Sequence, residues 1–132
     1  MVVELAKGYI RNLRRFLRKL NITVGRCFDE FEFTSLLRSI NTKYDEYWLL
    51  GWKEHKVSDH SSSFVLTLID KDDREYVVRI YVSIGTINMV LPANQLHLTD
   101  ETTGITMLVN GNTINISGRV LCITDIRIKA MN

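Results

Sequence analysis

Six cations share one arc of the N-terminal segment: Lys7, Arg11, Arg14, Arg15, Arg18 and Lys19. Their three- and four-residue spacing stacks them on one helical face. Glu4 is the only acid among them. Like charges at i,i+4, such as Lys7–Arg11, Arg11–Arg15, Arg14–Arg18 and Arg15–Lys19, each cost a helix roughly 0.2–0.5 kcal/mol. A face tuned only for solubility mixes signs. Four of the six are Arg, whose planar fork grips phosphate and stacks on bases better than Lys does. Such a face suits water alone, a nucleic-acid backbone, an acidic protein surface or an anionic membrane.

Other residues with chemical potential are sparser. His55, Asp59 and His60 lie near Ser61, Ser62 and Ser63. Two imidazoles and a carboxylate could bind metal or move protons, but their spacing fits no metal-site pattern and the stretch reads as a polar loop. His97 alternates with Leu96 and Leu98 and reads as an exposed strand position. Asp70, Asp72, Asp73 and Glu75 flank a turn and lack the longer ligand series of a calcium loop. Tyr44, Tyr47, Trp48 and Trp52 are the densest aromatic patch. They can stack bases, or they fill the junction between helix and sheet. Tyr76 and Tyr81 lie on the long strand expected over Tyr76–Ile84 with Arg74 and Arg79; an exposed Tyr/Arg face there would be a second nucleic-acid signal, but the sequence leaves the strand's faces open. No glycine-rich phosphate loop, nucleophile elbow or metal signature occurs. A non-enzymatic protein with no cofactor and no metal is therefore expected.

The elements that must hold these residues follow from periodicity. Residues 1–20 read as a helix whose apolar side chains, Val2 to Leu20, fill an arc of about 160°. Asn21 and Gly25 bracket a break. Phe33, Leu36, Leu37 and Ile40 form a shorter helical stripe with Asp29, Glu30 and Glu32 at its start, where the helix dipole favours acids. From Tyr47 onward the chain reads as strands with turns, Tyr47–Val57 being either a strand or a helix end followed by a strand. Phe64–Ile69 and Tyr76–Ile84 make a hairpin around Asp70–Asp73, and Ile87–Leu91 continues the strand up to Pro92. Asp100–Gly104 is a turn. Ile105–Val109 and Thr113–Ile116 make a second hairpin around Asn110-Gly111-Asn112. Val120–Ile123 and Ile126–Ile128 close the chain.

With 132 residues, 45% hydrophobic and 24% charged, the chain fits one domain with a real core. The expected fold class is α+β: N-terminal helices, to residue 46, packed on a strongly bent antiparallel sheet or small barrel over residues 47–132. Charge is divided unevenly. Residues 1–26 carry seven Lys or Arg and one acid, and residues 27–132 carry ten against fourteen. Such asymmetry favours a polyanionic or acidic partner. Cys27 and Cys122 are the only cysteines. They do not make a disulfide framework, and Cys122, in an apolar run, reads as a small buried hydrophobe. No apolar run approaches a bilayer span, and charge interrupts the N-terminal apolar residues at every turn. A cytoplasmic location is expected, with membrane binding disfavoured because the sheet needs the apolar arc.

Residues Phe64–Leu91 read FVLTLIDKDDREYVVRIYVSIGTINMVL, and Gly118–Ile128 read GRVLCITDIRI. With the leading helix, this stretch resembles the Sm-like family of small bent barrels. The resemblance implies a ring-forming, RNA-binding protein. It also implies that Asn88, in the matching Ile87-Asn88-Met89-Val90-Leu91, contacts a base. The family's strand glycine falls at Val78, its aspartate at Ile84 and its Arg-Gly pair at Thr124-Asp125, so Asn88 alone carries over. The function expected from the residues is sequence-independent nucleic-acid binding, to RNA or DNA, by the six helix cations. The alternative is an assembly subunit or adaptor whose helix docks on an acidic partner or a second copy in a homo-oligomer.

Overall fold

A computed structural model describes residues 2–92 and 105–131, with side chains over 7–86, 111–112 and 118–131. Helix α1 spans Val2–Lys19, and after a short strand β1 (Cys27–Asp29) helix α2 spans Glu30–Lys43. Five further strands follow: β2 (Tyr47–Ser58), β3 (Ser61–Asp70), β4 (Glu75–Pro92), β5 (Ile105–Asn110) and β6 (Thr113–Ala130).

Local chemistry explains the boundaries. Asn21 ends α1 at φ 62° and Gly25 turns the chain at φ 91°, a region open to glycine and tolerated by asparagine. Asp29 caps α2, its carboxylate accepting from the Glu32 N–H at 2.7 Å, and Glu30 and Glu32 occupy the first turn. Asp70 organises the β3–β4 turn by accepting from the N–H groups of Asp72 (2.9 Å) and Arg74 (3.0 Å). The β5–β6 turn places Gly111, at φ 62°, first of its two central residues. That is one residue later than an Asn-Gly centre would give.

The sheet is antiparallel, in the order β1-β6-β4-β3-β2, with β5 also paired to β6. It is open. β1 and β2 occupy opposite edges of the path and do not pair, so the expected α+β class holds without a closed barrel. The segments expected around Val120–Ile123 and Ile126–Ile128 belong to one 18-residue strand, β6. The Asp59–Ser63 loop is also shorter than expected, because Ser61, Ser62 and Ser63 pair with Ser83, Val82 and Tyr81 as strand. Leu96, His97, Leu98 and the Asp100–Gly104 turn lie outside the described residues.

Strand parity sorts the side chains. Leu66 and Leu68 of β3, Val78 and Ile80 of β4, and Leu121 and Ile123 of β6 point to one face and are buried. Both helices cover that face. Leu13, Phe16, Leu17 and Leu20 of α1 and Phe33, Leu37 and Ile40 of α2 complete a single core. The helical and strand halves interlock, because β1 precedes α2 yet pairs with β6. Arg119 of β6 strengthens this junction, donating to Glu30 of α2 (2.9 Å) and Glu54 of β2 (2.7 Å).

Cys27 and Cys122 form a disulfide between β1 and β6. This corrects the reading of Cys122 as a buried free thiol. The two cysteines are register partners with Cα atoms 4.0 Å apart. That proximity comes from strand pairing across 95 residues, which spacing along the chain does not reveal.

Candidate nucleic-acid interface

The two arcs of α1 have separate fates. Leu13, Phe16 and Leu17 are at most 2% exposed. Phe16 meets the rings of Tyr44 and Tyr47 at 5.6 and 4.7 Å. Lys7, Arg11, Arg14, Arg15, Arg18 and Lys19 all face solvent. Lys19 sits 3.5 Å from Glu46. Among the described side chains no acid lies within ion-pair distance of the other five. Asn88 lies in β4 opposite Ser117, far along the chain from the helix, and its side chain is outside the described residues.

A groove of about 440 Å³ runs between α1 and the β3–β4 turn. Arg15 and Lys19 border it on the helix side, Glu46 and Asp70 on the sheet side. Its floor holds Tyr47 and Tyr76, both buried. The Tyr76 hydroxyl donates to the Asp70 carboxylate at 2.8 Å. Burial, then Asp70 and Glu46 nearby, pushes the Tyr47 phenol up to about 12. Burial and the Asp70 hydrogen bond raise Tyr76 as well. These groups stay neutral across the physiological range and act as structure. The Arg74 guanidinium stacks 3.7 Å from the centre of the Tyr9 ring, fastening the first turns of α1 to the sheet.

The aromatic patch divides. Tyr47 is buried, Tyr44 packs against Phe16, and Trp52 packs against Phe64 at 5.8 Å. Trp48 points away from the core and remains 39% exposed. His55 lies in β2, and Asp59 and His60 form the β2–β3 turn. They do not converge, and no group of three potential metal ligands occurs among the described residues.

The face of the sheet away from the helices carries a second set of cations, of which the sequence pattern points to Arg79, with Tyr81, but not to Lys53, Arg127 or Lys129. Lys53, Val65, Arg79 and Arg127 lie in one transverse row across β2, β3, β4 and β6. Lys129 occupies the next row, opposite Val77. Tyr81 and Arg79 share this face, whereas Tyr76 points into the core. The buried alternate residues of β4 are the signal that assigns them, once the strand is known to be covered on one side only.

Comparison with protein-family models, curated proteins and solved structures found no match to this chain. No described helix is long and apolar enough to cross a membrane.

Proposed function

We propose that this protein binds nucleic acid without enzymatic activity, gripping the phosphate backbone largely independently of sequence. Lys7, Arg11, Arg14, Arg15, Arg18 and Lys19 form the contact. The observation that carries this reading is the division of α1. Its apolar arc is consumed by the core, so the helix is held rigidly with its cations outward. Arg residues fixed on a stable helix meet phosphates with little ordering cost. Curvature of the sheet toward a small barrel is part of the same reading. It is supported by Arg119 of β6 reaching Glu54 of β2, two non-adjacent strands. A base contact at Asn88, as the Sm-like resemblance implies, would add to the helix contact.

Gel-shift titrations with single- and double-stranded DNA and RNA at two salt concentrations test the proposal. Six phosphate contacts correspond to a log–log salt slope of about −4 on single strands and about −5 on duplex. Replacing Arg11, Arg14, Arg15 and Arg18 together by Gln should weaken binding and flatten the slope. Affinity weaker than about millimolar for every probe at low salt would refute nucleic-acid binding, since nonspecific binders reach roughly 10⁻⁴ M even at physiological salt.

A second reading, an assembly subunit, is favoured by β2. This edge strand exposes Leu50 (56%) and Val57 (72%), and exposed apolar edges invite strand pairing. A salt-sensitive oligomer in light scattering, with no affinity for nucleic acid, would select it.

A further inference from the structure

We propose that the open face of the sheet is a second, separate binding platform for single-stranded nucleic acid. Its core is the row Lys53–Val65–Arg79–Arg127, with Lys129 and Tyr81 beside it. This inference goes beyond the helix reading and does not rest on it.

The arrangement is unfavourable for stability alone. Opposite charges placed directly across an antiparallel pair stabilise a sheet, and like charges destabilise it. Here Arg79 stands directly opposite Arg127, one strand from Val65 and two from Lys53. Lys53, Arg79, Arg127 and Lys129 are all exposed. Among the described side chains two acids stand beside these cations. Asp125 lies 3.1 Å from Arg127, and Glu75 stands at a corner opposite Ile69. Four cations against two carboxylates leave an excess of positive charge, carried by β2, β4 and β6 across a span of four adjoining strands.

The surface between the charges has the chemistry of bases. Tyr81 is half-buried, with the Arg127 guanidinium 5.5 Å from its ring centre. Its phenol ring and that guanidinium are π surfaces on which a base can stack. Val65, Thr67 and Val77, also half-buried, supply an apolar floor beside them. Cations interleaved with an aromatic ring and β-branched side chains match a strand whose phosphates and unstacked bases are both available. A duplex keeps its base faces stacked internally and would gain nothing from Tyr81. Leu66, Val78 and Ile80 lie between the centre of this platform and α1, and the two basic surfaces come together at the edge of β6, where Asp125 and Ile126 share a cavity with Arg14 and Arg18.

The test is fluorescence anisotropy and stoichiometric titration of the full chain, using a labelled 12-nucleotide oligouridine and a 12-base-pair duplex. The triple variant Arg79→Thr, Arg127→Thr, Lys129→Thr should bind one single strand fewer than the wild type, whether or not the helix binds another, and its salt slope should be shallower by about 2. Thr favours strands, and the change removes the like-charge pair together with the exposed Asp125–Arg127 ion pair, which is worth little, so its melting temperature should stay close to that of the wild type. Tyr81→Leu should weaken oligouridine binding by about tenfold, as expected for loss of one stacked base, and leave duplex binding unchanged. Unchanged stoichiometry and slope in the triple variant would overturn the platform. So would equal weakening of single strand and duplex by Tyr81→Leu, or binding to phosphatidylserine vesicles with no oligonucleotide binding. The Arg11, Arg14, Arg15, Arg18 to Gln variant separates the two readings. If it binds like the wild type while the sheet variants lose a strand, the helix proposal fails and the platform stands.

Discussion

Tyr47 and Tyr76 show how burial sets chemistry at single residues. Each phenol lies under α1 beside Asp70, where an ionised ring would lose hydration and face a carboxylate. Folding therefore raises their proton affinity above that of the unfolded chain. A raised phenol contributes fully while both states are protonated, below about pH 10. Above that the unfolded chain releases its protons first, and stability falls until the folded Tyr47 also ionises near 12. Urea titrations between pH 8 and 11.5 should show stability constant to about pH 10 and then declining. Tyr47→Phe should make the decline shallower, and an unchanged profile would refute the assignment. The sequence presented Tyr44, Tyr47, Trp48 and Trp52 as one patch. Only neighbours from α1 and β3 distinguish the buried Tyr47 and half-buried Trp52 from the exposed Trp48.

At the scale of elements, α1 is the clearest product of its own sequence. Its amphipathic spacing is a local property, so both the helix and its basic arc could be read without a fold. The same holds for α2, with its Asp29 cap, and for the hairpin around Asp70. What the helix covers is a tertiary fact. Phe16 lies between Tyr44 and Tyr47, so Phe16→Ala should cost about 3 kcal/mol, near the low end for deleting a buried aromatic ring. Chemical denaturation would measure it. A loss below about 1 kcal/mol would mean that the apolar arc is not committed to the core and remains available to another surface. Strand β4 illustrates the opposite limit. Its alternation favours Tyr76, Val78, Ile80, Val82 and Ile84 for the core, since the odd positions carry Glu75, Arg79 and Ser83, but the sequence does not say that only one side of the strand is covered. Coverage of one side of the sheet decided the exposure of Arg79.

For the whole molecule, long-range pairing supplies what local pattern could not. The β1–β6 register joins Cys27 to Cys122 and closes a loop with a sequence separation of 95. In the chain-entropy account such a loop is worth about 4–5 kcal/mol of stability, chiefly by restricting the unfolded chain. The double variant Cys27→Ser, Cys122→Ser, or reduction with dithiothreitol, should lower unfolding free energy by a few kcal/mol. A wild-type stability unaffected by reductant would show that the bond does not constrain the chain. Disulfides persist in oxidising compartments, whereas the expectation of a cytoplasmic location draws on the lack of a bilayer-length apolar run and on the charge-interrupted N-terminal residues. By itself the sequence determined the class of the fold, the helices, the hairpins and the basic arc of α1. Each depends on side-chain periodicity and turn chemistry within a few residues. Only the tertiary structure decided that the sheet stays open, that the two cysteines meet, and that Lys53, Arg79, Arg127 and Lys129 share one face. Each of these depends on strand register between segments distant in sequence, where the same alternation is compatible with several pairings.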